Sequence, residues 1–223
     1  ERDTRRPDYH NCKLILGFAS KYDLNLEELS KLQGKKHTYK NKYENIEPLK
    51  INKKSAEFIG ILNGDGTLTK GGTIRITGNS IEDFTHHNQR IVNLVRVLFN
   101  KTLNPKIKKG VVISEFTSLP ISKQLIYAEL PSGKKDELRI PKKILEENEF
   151  LKCYLRGLFD TDGTVCRRNK YNIRVGYGSF AQFEFSKDIQ LGLKKSGFKT
   201  EITIDKEKKS RIEITNDLDV LRF

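Results

Sequence analysis

Two aspartates, Asp65 and Asp162, end stretches of sequence that are written alike, "FIGILNGDG" at residues 58–66 and "LRGLFDTDG" at 155–163. In each, an apolar run reaches a small residue, then the aspartate, then a glycine. A helix C-terminus carries partial negative charge, so a carboxylate is disfavoured there. The third and seventh positions are small and four apart: Gly60 and Gly64 in one copy, Gly157 and Thr161 in the other. Such residues share one helix face and let two backbones approach closely. Two helices packed through these faces would bring both carboxylates to the same end, where they repel. A divalent cation between or beside them relieves both penalties, and oxygen ligands with open water positions suit Mg²⁺. The closing glycines, Gly66 and Gly163, suit left-handed helix C-caps. The competing reading, two exposed helix ends whose aspartates never meet, would explain one copy better than two.

The elements that must position these acids also run twice. After the first motif, "TIRIT" (73–77) alternates as a half-buried strand does. Ser80 is placed to cap a helix over "IEDFTHHNQRIVNLVRVLFN", with Ile81, Phe84, Ile91, Leu94, Val95 and Leu98 on one stripe. "PKIKKGVVISEF" (105–116) predicts a hairpin turning near Gly110. After the second motif, "TVCRRNKYNIRVGYG" and "FAQFEFS" read as strands, "SKDIQLGLKKSGF" as a helix, and "KTEITID" with "SRIEITN" as a hairpin. The chain stops at Phe223, which leaves the last helix nearly absent. His86 and His87, adjacent in the middle of a helix, read as a surface pair, because neighbours in sequence do not face each other.

Residues 1–50 follow a different pattern. A charged start, "ERDTRRPDY", precedes two short helices over "CKLILGFASKYDLNLEELSKLQGKK", with Asn25 a cap, and then a basic stretch. Two readings stand: a small DNA-binding module of helix-turn-helix type, or a helical arm packed on the main domain. The predicted division is therefore an extension at 1–50, one repeat at 51–145 and another at 146–223.

Composition narrows the partner. The 223 residues carry 42 Lys and Arg against 29 Asp and Glu, a formal net charge of +13, which suits a polyanion. With 36% hydrophobic residues the chain can bury a core. No run of about 18 apolar residues is present, so no membrane span is expected. Cys12, Cys153 and Cys166 form no CxxC pair, which argues against a zinc site or a disulfide framework and for a reducing intracellular compartment. No signal peptide is visible, and the absence of methionine places the native start upstream or marks it as removed.

The two motifs resemble the signatures of a LAGLIDADG homing endonuclease of the single-chain, two-repeat kind. "RIPKKILEENEFLKCYLRGLFDTDG" is similar to the approach to the second motif in that family. The resemblance covers about residues 52–223, since the element order after each motif matches as well. It implies an α+β fold of two pseudo-symmetric αββαββα repeats whose motif helices form the interface. It also implies that each repeat lays a curved antiparallel sheet in the major groove of a long asymmetric duplex site, with the protein acting as a monomer. Asp65 and Asp162 would then bind two or three Mg²⁺ ions over the minor groove, with the carbonyls of Gly64 and Thr161 completing the shell. One cut per strand would follow by metal-ion catalysis of phosphodiester hydrolysis. The sixth motif position is Asn63 in one copy and Asp160 in the other; since it is not the ligand position, Asn63 does not argue against activity.

Strand parity assigns the DNA-facing side. Thr73, Arg75 and Thr77 point away from the helices in 73–77, Asn172 and Arg174 in 172–175, and Gln182 and Glu184 in 181–185. Arg167, Arg168 and Lys170 fall on a predicted hairpin tip, and Lys106 and Lys108 on the other repeat. Arg and Gln read base edges, while most lysines hold phosphates. The family often places a basic or amide residue near the scissile phosphate, and Gln182, Lys123 and Lys209 are the candidates here. The main rival function is an intron maturase or a DNA-binding regulator of the same fold that does not cut. Such regulators usually lose the acids that this chain keeps. A structural protein whose basic surface meets an acidic partner is a third reading, disfavoured by strand faces rich in Arg, Gln and Thr. An intein origin lacks a splicing nucleophile at Glu1 and a terminal His-Asn.

Overall fold

Helix α1 (Lys53–Gly64) begins where Asn52 and Ser55 cap each other reciprocally. Asn52 Oδ1 accepts from the N–H of Lys54 at 2.9 Å and of Ser55 at 3.1 Å, and Ser55 Oγ accepts from the Asn52 N–H at 2.8 Å. This capping box satisfies the donors that a helix start leaves open. The computed structural model describes residues 49–135, 138–167, 173–179, 183–204, 210–214 and 216–223. The N-terminal extension, as read above, lies outside the described residues up to Pro48.

After α1 come β1 (Gly66–Leu68) and β2 (Thr73–Asn79). A π-helical segment, His86–Ile91, then continues directly into α2 (Val92–Phe99). β3 (Lys106–Lys108), β4 (Val111–Thr117) and α3 (Leu119–Tyr127) close the first pass. A connector with the short α4 (Lys142–Glu146) leads to α5 (Asn148–Asp162), the second motif helix. There follow β5 (Gly163–Arg167), β6 (Ile173–Ser179), α6 (Phe183–Lys195), β7 (Thr200–Ile204), β8 (Ser210–Ile214) and α7 (Asp217–Arg222).

Each pass builds a four-stranded antiparallel sheet with the same order, β1-β2-β4-β3 and β5-β6-β8-β7. In the first sheet Ile74, Ile76, Val112 and Ser114 are buried, while Arg75 and Glu115 are exposed. That is the period-2 division of a sheet with helices on one face only. The Phe58, Phe99 and Phe116 rings fill the space between, with centroids 5.4 and 6.2 Å apart. The predicted hairpin turns at Lys109 and Gly110, both at positive φ.

Four local expectations are corrected. The turn after β2 is capped by Asn79, not Ser80: its Oδ1 accepts from the Ile81 N–H at 2.8 Å. Ile81 is 87% exposed because it lies in the turn that precedes the helix, and Phe84 at the helix start is exposed too, so the buried stripe is Ile91, Leu94, Val95 and Phe99. The segment from Phe183 is helix and not strand. Phe185, Ile189 and Leu193 recur every four residues, and that helical burial overrides the short alternation Phe183, Phe185. Glu184 therefore sits on α6 beside Lys187, at 2.8 Å, and not on a DNA-facing strand. The last helix is short but formed: Asn216 caps it, and the Phe223 ring packs edge-on against Phe159 of α5 at 4.8 Å.

Candidate functional site

Helices α1 and α5 pack against each other more extensively than any other pair of elements among the described residues. The contact is reciprocal. A Cβ at Gly60 would stand 2.1 Å from the Tyr154 carbonyl oxygen, and one at Gly157 would stand 2.2 Å from the Glu57 carbonyl oxygen. Each glycine thus receives the backbone of the residue that precedes the opposite motif. Further along, a Cβ at Gly64 would meet Thr161 Oγ1 at 2.0 Å and the Asp162 carboxyl carbon at 3.5 Å. The small positions therefore bring the two motif ends together.

Polar contacts hold the pairing at both ends. Asn63 Nδ2 donates to the buried Tyr154 hydroxyl at 2.8 Å, so the asparagine at the sixth position is an interface residue. Burial holds the Tyr154 phenol protonated. Glu57, 1% exposed, receives the guanidinium groups of both Arg90 and Arg156. A buried carboxylate is tolerated when paired in this way. The π-helical segment carries Arg90 and so supplies half of that clamp.

The glycines that follow the aspartates are not left-handed caps. Gly163 has φ −70° and ψ 149°, and Asp65 rather than Gly66 is the cap of α1, at φ −84°. What excludes a side chain is space: a Cβ at Gly66 would lie 2.4 Å from Leu62 Cα, and one at Gly163 would lie 2.3 Å from the Phe159 carbonyl oxygen. The chain folds back sharply from helix to strand at both points.

At the joined ends the electrostatics are strained. The Asp65 carboxyl is pushed up to about 6, first by burial, then by Asp162 and Asp83, with Lys135 acting in the opposite direction. Asp83 is itself held by the Asn79 N–H at 2.6 Å. Lys135, from the connector, donates from Nζ to the Asn63 carbonyl at 3.0 Å and also to the Gly64 carbonyl. Burial lowers the Lys135 ammonium, and Asp162 and Asp65 oppose that. In the sequence Lys135 is one lysine in a charged connector, and nothing local singles it out. No spacing rule links it to the motif, since 71 residues separate it from Gly64.

The donor types fit a hard divalent cation: two carboxylates, one of them pushed up by burial and by its neighbour, beside main-chain carbonyls at the negative ends of two helices. No cluster of three or more His, Cys, Asp and Glu that could hold a metal ion exists among the described residues, so a cation at the two aspartates would have to be completed by main-chain oxygens and water.

The remaining predicted residues distribute as follows. Thr73, Arg75 and Thr77 lie on the sheet face away from the helices; Arg75 is ion-paired with Glu115 across the strands. Lys106 and Lys108, exposed on edge strand β3, pair with Ile113 and Val111 and share that face. Arg167 and Arg174 are on β5 and β6. Lys123 is exposed on α3. Gln182, Lys209, Arg168, Lys170 and Asn172 lie outside the described residues. His87 is not on the surface: it is 2% exposed, with Nδ1 2.8 Å from Ser114 Oγ, and burial lowers its imidazole to about 4.

Asp65 and His87 give opposite pH signatures. The folded state holds an extra proton on Asp65 between its ordinary 3.8 and about 6, so that stability is lost as pH rises through this window. The folded state keeps His87 neutral between about 4 and 6.5, so its contribution is lost as pH falls. Relative to wild type in chelator, Asp65→Asn should make stability rise more steeply from pH 4 to 6, and His87→Asn should make it rise less steeply. Urea titrations across that range check this; curves parallel to wild type for both variants would contradict it.

Residues 149–223 match the LAGLIDADG-like domain family, a span that contains the second motif but not the first. No curated protein matches the chain in sequence. Among solved structures, the N-terminal LAGLIDADG domain of DUF199/WhiA is similar at TM-score 0.54 and 17% identity, over 80% of this chain and 83% of that one. I-DmoI in complex with DNA and Ca is similar at TM-score 0.54 and 15% identity, over 77% of this chain and 86% of that one. I-DmoI with DNA and Mn reaches 0.51 at 14% identity, over 74% and 91%. The fold is the α+β LAGLIDADG fold. No helix among the described residues is long and apolar enough to cross a membrane.

Proposed function

We propose that the protein is a site-specific endonuclease that cuts both strands of duplex DNA in the presence of divalent metal, built as a single-chain, two-repeat LAGLIDADG enzyme. One observation carries the reading: the motif glycines bring Asp65 and Asp162 to one end of one helix pair, where their charges conflict. Asp65, Asp162 and the carbonyls of Gly64 and Thr161 would hold Mg²⁺. When bound, the metal would lower the pKa of water and stabilise the charge that develops in phosphodiester hydrolysis. The chain's own residues do the rest. Gly60 and Gly157 set the spacing of the acids, and Asn63 with Tyr154 fixes the rotation of one helix on the other. The sheet faces carrying Thr73, Arg75, Thr77, Lys106 and Lys108 position the duplex, and Arg167 and Arg174 are the counterparts proposed for the second sheet.

A second reading, a nucleic-acid binder of the same fold that does not cut, is favoured by Lys135. Its ammonium already rests on the carbonyls next to the acids. The matching structures do not choose, since the WhiA domain and I-DmoI score alike. Incubation with a randomised duplex library and Mg²⁺ decides. The expected outcome is double-strand breaks at a restricted set of sequences; specific retention of duplexes without any break would select the second reading.

Both readings expect steep salt dependence. If about six to ten phosphates are neutralised, affinity should fall by roughly 10³–10⁵ between 50 and 200 mM salt. A nearly flat plot of log affinity against log salt would remove DNA as the partner of this +13 chain.

A further inference from the structure

We infer that Lys135 is a tethered cation that occupies the charge position of the divalent ion, and that metal loading requires its displacement. This rests on the metal-site reading above. Nζ donates to the carbonyls of Asn63 and Gly64, the last two residues of α1, where the chain ends its helix and turns to Asp65. Gly64 O is one of the oxygens that would serve the metal. A lysine at a helix C-terminus satisfies orphan carbonyls and complements the helix dipole, so the metal-free state is stabilised. The same ammonium also offsets the charge on the two aspartates. A unit positive charge and a divalent ion cannot share that small region without strong repulsion, because partial burial weakens solvent screening.

The placement of Lys135 is built and not incidental. The connector on which it rides is fixed on both sides. The Gly133 N–H donates to the Leu68 carbonyl at 2.8 Å, and Arg139 forms a two-pronged pair with Asp188 of α6 at 2.6 and 2.9 Å. The lysine stem lines a small cleft with Leu62, Gly66, Leu130 and Pro131.

The test is calorimetric titration of Mn²⁺ and Mg²⁺ into DNA-free protein, for wild type, Lys135→Met, Lys135→Arg and Asp65→Asn. Lys135→Met should bind metal roughly 10–100-fold more tightly than wild type, Lys135→Arg should stay near wild type, and Asp65→Asn should lose binding. In chelator, Lys135→Met should melt lower than wild type and gain more from added Mn²⁺. Equal or weaker affinity in Lys135→Met, with wild type still binding through Asp65, overturns the inference and leaves the metal site intact. If no variant binds metal while duplex DNA is still bound, the inference and the metal-site reading fail together.

Discussion

Asp65→Asn and Asp162→Asn should each abolish most cleavage, by roughly two to three orders of magnitude or more, while leaving the fold in place. The amide is close to isosteric with the carboxylate, and it removes a charge that sits badly at a helix end. For Asp65 the sign is explicit. Its carboxyl is held up to about 6, so at neutral pH the ionised form costs stability, and the asparagine variant should be equally or more stable without metal. DNA affinity in chelator should hold or improve, because one negative charge near phosphates is gone. The two variants need not match: Asp65 is the cap of α1, whereas Asp162 is the last residue of α5 with Gly163 as its cap, so the acids stand at different positions on their helices. A nicked intermediate should accumulate if each acid serves mainly one strand. Near wild-type cutting of both strands by both variants in Mg²⁺ would move the chemistry away from these carboxylates.

Much of this centre was legible in the sequence because its logic is local and repeated. Small residues four apart on two apolar helices specify a close crossing, and the aspartates that follow must then meet; the structure brings Gly60, Gly157, Gly64 and Thr161 together as that spacing requires. Strand parity at 73–77 was equally readable, since Ile74 and Ile76 alternate with polar residues. What was not legible depends on contacts distant in the chain. Lys135 is one of many lysines, and only the path of the connector selects it. Glu57 sits in an apolar run where a charge looks misplaced until Arg90 and Arg156 arrive from two other helices. Phe183 and Phe185 gave a strand pattern because three residues cannot distinguish period 2 from the start of period 3.6; Ile189 and Leu193 settle it only when read together with them. Asn63 looked like a departure from a motif, and its reason, the Tyr154 hydroxyl, lies 91 residues away.

Gly60→Ala and Gly157→Ala should each destabilise the protein by about 2–4 kcal/mol, against the usual direction for glycine in a helix. Alanine is intrinsically better in a helix interior by about 1 kcal/mol. Here the added carbon would lie 2.1 Å from the Tyr154 carbonyl oxygen or 2.2 Å from the Glu57 carbonyl oxygen. Both obstacles are backbone, so no rotamer change relieves them and the helices must move apart. Overpacking of this kind costs about 1–3 kcal/mol or more, and separation also opens the contact between two otherwise buried surfaces. For a domain of this size the melting temperature should drop by roughly 5–15 °C. Gly71→Ala is the control: its nearest obstacle is 3.8 Å away, so little change is expected. Gly64→Ala differs in kind, since it meets the Thr161 side chain first; it should cost less stability but spread the ends that carry the acids, and so reduce cleavage disproportionately. The double variant Gly60→Ala with Gly157→Ala decides the mechanism. One outward shift of the helices relieves both clashes, so the second substitution should cost clearly less than it does alone, a coupling of at least about 1 kcal/mol. Strict additivity, or single variants within 2 °C of wild type where about 5–15 °C is expected, would mean that the helices are not held at glycine contact.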